Sequence, residues 1–195
     1  MPAESPTPYQ LPELTPDALD ALADVDHPAA RHAPHHYAGF TLATALLRDD
    51  LARWQALRTA GDPPTVAGAR AFLTCLRRHQ RELDGLRREL AALDVGALDV
   101  GRIIGEALAA WRAGAGAVCA SLLSPLAPMF DDTAGRLRAA GWEVIELTTP
   151  TPWPEVAKRA PAFTAAQLAE VNGVSGAAPV QGVILLPPAR VLDAR

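Results

Sequence analysis

The longest amphipathic stretch of the chain, residues 66–93, constrains the fold more than any other feature. The segment Gly-Asp-Pro-Pro at residues 61–64 ends the helical pattern before it, and a doubled Leu-Asp-Val-Gly turn follows it. A helix of this length with one apolar face must bury that face, so the sequence predicts a helical bundle in the N-terminal part of the chain. The apolar positions recur at helical spacing and are Phe72, Leu76, Leu83 and Leu90.

Four arginines form one line on the other face of this predicted helix: Arg70, Arg77, Arg81 and Arg88. Aligned guanidinium groups suit phosphates and carboxylates, so nucleic-acid binding is one interpretation of the line. Acidic residues are interleaved with the arginines, no aromatic residue lies among them, and the net charge of the chain is −4. We therefore interpret the line as a solvent-exposed face and do not expect a nucleic-acid partner.

The hydrophobic pattern changes after Gly114 and Gly116, which the sequence places at the end of a helix. A short apolar run follows, and a predicted helix over residues 133–140 closes at Gly141, where a left-handed cap costs little. Strand, helix, glycine and strand in this order predict a parallel crossover. The predicted strands are residues 117–123, 142–147 and 180–186.

These patterns predict a helix-rich α/β fold, in which an N-terminal helical bundle packs on a small, mostly parallel, three-stranded Rossmann-like β-α-β sheet. Three regions follow: a flexible N-terminal arm over residues 1–16, a helical region over 17–114 and a small α/β region over 115–195. Because three strands leave the sheet incompletely covered, we expect the helical region or another chain to shield its exposed face and edge.

One segment resembles a known family. Residues 136–156, RLRAAGWEVIELTTPTPWPEV, are similar to the second βα unit of cobalamin-binding domains, which often follow a helical cap. Those domains carry a histidine in the loop after their first strand, whereas this chain has Leu126-Ala127-Pro128-Met129 there and no histidine in its C-terminal half. The sequence therefore assigns no family, and the cofactor is left unknown.

Composition and the chain ends favour a cytoplasmic, bacterial protein. No apolar run approaches the length of a membrane span, and the N-terminus lacks the basic stretch and apolar core of a signal peptide, so no membrane partner is expected. Lys158 is the only lysine among many arginines, a bias typical of a GC-rich genome. Cys75 and Cys119 lie in apolar surroundings and are predicted to be reduced, buried thiols.

The densest group of ligand-type side chains is His27, His32, His35 and His36. Imidazoles together with carboxylates can bind zinc or iron. The spacing of these histidines matches no ligand pattern with a mechanistic basis, and a further ligand such as His79 or Asp62 would have to come from elsewhere in the fold. We prefer to interpret the group as a polar linker between helices, and a metal site here is the first alternative.

A second candidate site lies at the mouth of the predicted sheet, because ligands of parallel sheets gather beyond the carboxyl ends of the strands. The residues predicted there are Asp131, Asp132 and Trp153, and the indole could cover an apolar ligand. The loop after the first predicted strand lacks the glycines of a phosphate cradle, and the two aspartates would repel a phosphate. These residues therefore disfavour a nucleotide, and we prefer to interpret Trp153, together with Trp142, as packing against the helical region, with a ligand or cofactor site here as the alternative.

No catalytic residue is assigned. Ser175 lies in Asn-Gly-Val-Ser-Gly, which lacks the glycine spacing of a nucleophile elbow, and no histidine follows it in the chain. The sequence favours a non-enzymatic interaction or regulatory module that self-associates or binds a protein partner, with a ligand or partner site at the C-terminal edge of the sheet. The first alternative is a metal- or small-molecule-binding protein, enzymes included, that uses residues 27–36; the second is nucleic-acid binding by the arginine line.

Overall fold

The computed structural model describes residues 26–59 and 65–189. The predicted arm over residues 1–16 and the helix predicted to begin at residue 17 lie outside these ranges. The described residues form α1 (Pro28–His32), α2 (Pro34–Thr59), α3 (Val66–Ala92), a 3₁₀ turn (Val95–Ala97), α4 (Arg102–Leu123), α5 (Leu126–Ala139), β1 (Glu143–Thr151), α6 (Trp153–Ala157), α7 (Ala165–Val171) and β2 (Val180–Leu186).

The chain divides into two compact units, each assembled from two separate segments. The first unit comprises the described residues within 1–50 and 79–124, and the second those within 51–78 and 125–195. Helices α2 and α3 each contribute residues to both units. The predicted long amphipathic helix is thus present as α3 and contributes to two cores.

In the first unit, aromatic side chains meet at the centre of the helical packing. Helix α1 packs against α4. The ring of Trp111 on α4 lies 5.9 Å from Tyr37 and 6.3 Å from Phe40 on α2, measured between ring centroids. Tilted and edge-on pairs at such distances add to the gain from burying the rings. Helix α4 is therefore held in the core by its largest side chain.

The predicted first strand, residues 117–123, is wrong, because these residues form the last two turns of α4. Gly114 and Gly116 were interpreted as the end of the helix, but a glycine inside a helix costs only about 1 kcal/mol relative to alanine. The apolar stripe of α4 continues through both glycines at helical spacing, so packing of this stripe outweighs the cost. Its buried residues are Leu108, Trp111, Ala115, Val118 and Cys119.

The predicted parallel, three-stranded Rossmann-like sheet is also wrong: the described residues contain a two-stranded antiparallel sheet, β1 paired with β2. Without a strand at residues 117–123, no parallel crossover onto β1 exists. The strands predicted over 142–147 and 180–186 are present, but β1 continues beyond the predicted end at residue 147 to Thr151. The register shifts between Leu147 and Thr151, opposite Gly182, whose φ of +87° only glycine adopts readily.

A single hydrophobic cluster holds the second unit together around one face of this sheet. Helix α5 packs against β1, and α6 packs against α7 in the connection between the strands. The buried members of the cluster come from both strands, both short helices and the loop between them: Leu147, Trp153, Val156, Phe163, Leu168, Ala169, Val180, Ile184 and Leu186. The second unit is therefore helix-rich with a small sheet.

Asn172, at the end of α7, ties the following loop to β2. Its buried amide exchanges two hydrogen bonds of 2.8 Å with the backbone of Leu185, donating to the carbonyl and accepting from the N–H, and donates a third to Leu168. Gly173 follows with a φ of +66°, and a Cβ there would lie 2.9 Å from the Cβ of Ala67 on α3. Both the turn conformation and the close approach of α3 therefore require glycine at this position.

One helical stretch of the described residues, Arg102–Ala139 in α4 and α5, meets the length and composition of a membrane span, with a mean hydropathy of 1.5 over 18 residues. Core helices of soluble proteins meet the same criterion. The expected cytoplasmic location and absence of a membrane partner stay predictions.

The continuity of α4 is tested by Gly116→Ala. A Cβ at this position would contact nothing within 4 Å, so alanine should raise the free energy of unfolding by about 0.5–1 kcal/mol through its higher helix propensity. Urea denaturation followed by circular dichroism measures the change. Gly173→Ala is the matched control and should lower stability by at least about 1 kcal/mol. A loss of stability in Gly116→Ala would contradict the continuous helix.

Burial makes Cys119 a slow nucleophile. Desolvation raises the pKa of its thiol to about 11, although Arg87 acts in the opposite direction. At pH 8 only about one thiol in a thousand would then be ionised, and the thiolate is the reactive form. Iodoacetamide should therefore modify native Cys75→Ser protein much more slowly than urea-unfolded Cys75→Ser protein. Mass spectrometry measures the modification rate in both states. Equal rates in the native and the unfolded protein would contradict the burial of Cys119.

Candidate functional site

The second unit contains a cavity of about 260 Å³ whose wall combines one cation with mostly apolar side chains. Arg70 comes from α3, Trp153 begins α6, and the loop between α7 and β2 supplies the rest of the wall, including Val174 and Ser175. Val180 and Gln181 at the start of β2 complete it. The lining residues thus come from three parts of the sequence that are far apart.

Local features of the sequence position each part of this wall. Thr65 caps the start of α3, accepting a 3.0 Å hydrogen bond from the N–H of Gly68, and Arg70 follows in the next turn. Pro152 precedes Trp153 in extended conformation, and the indole is 1% exposed within the hydrophobic cluster. The Asn172 hydrogen bonds to β2 hold the loop that begins at Gly173. Helix α3 and the start of α6 therefore position Arg70 and Trp153, and Asn172 anchors the beginning of the loop.

Arg70 carries a charge with no counter-charge. Within the described residues its guanidinium makes no hydrogen bond and no ion pair, and its Nε is buried. Burial lowers the pKa of Arg70, because the charged form has lost part of its hydration. No acidic side chain is among the residues that line the cavity. The wall thus presents an uncompensated positive charge.

Trp153 adds a second donor without an acceptor. Its indole Nε1 is buried and has no hydrogen-bond partner among the described residues. A buried donor left unpaired costs about 1–3 kcal/mol. Two such groups on the wall of one cavity are therefore a sizeable cost that an acceptor from a ligand would remove.

The remaining polar groups of the wall are partly engaged. Gln181 donates from Nε2 to the carbonyl of Thr148 at 2.9 Å, which fixes its amide and turns the Oε1 acceptor to other partners. The Ser175 hydroxyl oxygen accepts from the N–H of Ala177 at 3.3 Å, and its own proton remains available to donate. The cavity as a whole therefore offers more donors than acceptors.

Of the residues predicted for the sheet mouth, only Trp153 lines this cavity. Asp131 and Asp132 lie exposed on α5, where Asp132 forms a 3.0 Å ion pair with Arg136 one turn later. The mouth predicted for a parallel sheet does not exist, because the strands are antiparallel. Trp153 packs in the hydrophobic cluster of the second unit, and a ligand role for it stays a prediction.

The histidines predicted as metal ligands have separate surroundings. His27 caps α1 by accepting from the N–H of Ala29, and its ring stacks on Tyr37 with centroids 5.7 Å apart. His32 and His35 are exposed, and His36 is half-buried. Among residues 26–59 and 65–189, no three ligand atoms that include one of these four histidines lie within 4.8 Å of one another. The metal hypothesis at these residues stays a prediction.

His79, the additional metal ligand considered above, lies next to two carboxylates. It is 1% exposed, and its Nε2 lies 2.8 Å from the Asp50 carboxylate. Its Nδ1 lies 3.6 Å from the carboxylate of Glu82 one turn later. Asp62, the other additional ligand considered, lies outside the described residues.

The four arginines predicted as one exposed line differ in their contacts. Arg77 lies 3.2 Å from the Glu146 carboxylate, and its guanidinium lies 3.6 Å above the centre of the Phe130 ring. Arg88 donates to the carbonyl of Asp84, and Arg81 is exposed. Sequence reasoning missed Arg70 as a cavity residue, because nothing local to α3 distinguishes it from the other three.

Comparison of the chain with protein-family models, with curated proteins and with solved structures finds no match.

The unpaired state of Arg70 predicts that its removal stabilises the ligand-free protein. Arg70→Met keeps the aliphatic length and removes a partly buried charge, so the free energy of unfolding should rise by about 1 kcal/mol. Arg77→Met is the matched control and should lower stability, because it removes the Glu146 ion pair and the Phe130 contact. Urea denaturation measures both changes, and a clear loss of stability in Arg70→Met would show that Arg70 serves the fold.

Proposed function

We propose that this protein is a non-enzymatic ligand-binding module whose cavity takes a small carboxylate with a short apolar body. The observation that carries the proposal is the proximity of Arg70 and Trp153: both residues line the same cavity, and the guanidinium Nε and the indole N–H have no partner among the described residues. A carboxylate provides two acceptor oxygens and one negative charge, which is what these two donors lack.

The apolar part of the wall favours a carboxylate over an inorganic phosphate. Val174, Pro179 and Val180 line the cavity beside the charged group, so a ligand with an apolar body buries hydrocarbon there. The cavity offers one cation, and its described lining residues include no glycine-rich loop to neutralise a second charge.

The volume limits the ligand to a small molecule. Sites for drug-sized ligands measure roughly 300–1,000 Å³, and this cavity of about 260 Å³ lies just below that range. A short-chain monocarboxylate fits such a space with its charged group at Arg70.

The lining residues also explain why binding is proposed rather than catalysis. Arg70 is their single titratable group, and it stays protonated.

Ligand binding also requires a local adjustment of the wall. The Nε of Arg70 and the Nε1 of Trp153 are shielded from solvent in the ligand-free structure. A carboxylate that reaches them must displace part of the wall, and the loop after Gly173 is the segment with exposed residues, Ser175 to Pro179. Binding would thus be read out as an ordering or shift of this loop, which suits a regulatory module.

The test uses butyrate as a probe in isothermal titration calorimetry and thermal denaturation of the full chain. Butyrate should bind and raise the melting temperature, because a ligand that binds only the folded state stabilises it. n-Butanol and butylamine have the same apolar body but lack the carboxylate, and neither should stabilise the protein. Inorganic phosphate should bind more weakly than butyrate.

Matched variants separate this site from non-specific effects. Arg70→Met should weaken butyrate binding about tenfold or more, since hydrogen bonds to charged groups contribute about 1.5–3 kcal/mol. Arg77→Met should bind butyrate like the unchanged protein. Equal butyrate affinity in Arg70→Met and the unchanged protein, or no binding of butyrate at any concentration that folded protein tolerates, would overturn the proposal.

A further inference from the structure

The exposed side of α3 in the first unit carries an antisymmetric charge pattern centred on Gly85. Arg81 lies four residues before this glycine and Glu89 four residues after it, while Glu82 and Arg88 lie three residues before and after. Residues spaced three and four apart share one face of a helix, so all of these positions surround Gly85 on the same side. If two copies of this helix lie antiparallel with their Gly85 residues opposite each other, each basic residue of one copy lies opposite an acidic residue of the other.

The two outer charges of this pattern have no partner among residues 26–59 and 65–189. Arg81 and Glu89 are exposed, and neither makes an ion pair or a side-chain hydrogen bond among the described residues. They lie eight residues apart, about 12 Å along the helix, and so cannot pair with each other. Each therefore remains available to a partner of opposite charge.

An apolar groove runs beside these charges. Its volume is about 440 Å³, and Arg81, Gly85 and Glu89 line one side of it. The other side is formed by α2, where Leu42 and Leu46 are 61% and 43% exposed. These are two of the three large hydrophobic side chains that are exposed in the described residues. A Cβ at Gly85 would contact nothing within 4 Å, so another helix can approach its backbone closely.

We propose that a second copy of this chain docks on the groove, with the two α3 helices antiparallel and a two-fold axis passing near Gly85. In this register Arg81 of each copy faces Glu89 of the other, and Glu82 faces Arg88. The same contact is made twice, as a two-fold interface requires. Leu42 and Leu46 of each copy are covered at the same time, which supplies the apolar burial.

The size of the groove sets the strength of this association. The apolar contact is limited to a groove of about 440 Å³, whereas a stable interface involves roughly 20–30 residues on each side. The dimer is therefore in reversible exchange with the monomer, and its population rises with protein concentration. This inference concerns the first unit and does not depend on the ligand proposed for the second.

Sedimentation velocity from low to high micromolar concentration tests the proposal. The unchanged chain should show a concentration-dependent shift from monomer to dimer, and Leu42→Lys should weaken the association about tenfold or more. Ile103→Lys is the matched control, because Ile103 is 73% exposed on α4 and is not among the groove residues. A monomer at every concentration, or equal weakening by both variants, would overturn the proposal.

Charge reversal tests the register itself. Arg81→Glu and Glu89→Arg should each weaken the association, because each brings like charges together twice. A mixture of the two single variants should form a heterodimer, since one copy then carries two acidic and the other two basic residues. The double variant should associate within about threefold of the unchanged chain. Failure of the mixture to associate would overturn the antiparallel register even if a dimer forms.

Discussion

The second unit depends on the side chain of Asn172. Its amide exchanges two hydrogen bonds with the backbone of Leu185 and donates a third to Leu168, so it joins the end of α7 to β2 in the way that a neighbouring strand would. The residue is 2% exposed, and loss of these bonds would leave buried backbone groups without partners. The loop that forms one wall of the cavity begins at the next residue. The three hydrogen bonds of this side chain thus anchor the beginning of that loop.

The cavity combines rigid support with groups that the fold leaves unsatisfied. Folded proteins satisfy nearly all buried polar atoms, so exceptions call for an explanation. The Trp153 indole is buried because it packs in the hydrophobic cluster. Its N–H has no hydrogen-bond acceptor among the described residues. The Arg70 guanidinium loses hydration without gaining a counter-charge. The proposed carboxylate would remove both costs together.

The sequence predicted those elements that local pattern determines. The long helix α3 follows from its apolar period, and the strands over residues 142–147 and 180–186 follow from β-branched, apolar runs next to glycine and proline. The prediction of a strand over residues 117–123 was wrong because a seven-residue apolar run suits a buried helix as well as a strand. Gly114 and Gly116 suggested that the helix ends there. The buried stripe from Leu108 to Cys119 instead shows that α4 continues past both glycines, because its apolar face packs in the core.

The direction of the strands and the cavity lay beyond local pattern. Antiparallel pairing depends on which strands exist, so the error at residues 117–123 carried over into the sheet topology. Trp153 was predicted at a ligand site, but for a topology that the protein lacks. Arg70 was placed with three other arginines on a solvent-exposed face. It lines a cavity together with a loop about a hundred residues later, and helical periodicity carries no information about that loop.

The central claim is that one carboxylate satisfies both Arg70 and Trp153. Proton–nitrogen correlation NMR measures this most directly, with the indole signal of Trp153 assigned by its loss in Trp153→Phe. Addition of butyrate should move the Trp153 indole proton and the Arg70 Nε proton downfield in a saturable way, with the other three indole signals unchanged. Saturable binding of butyrate that leaves both of these signals in place would contradict the account.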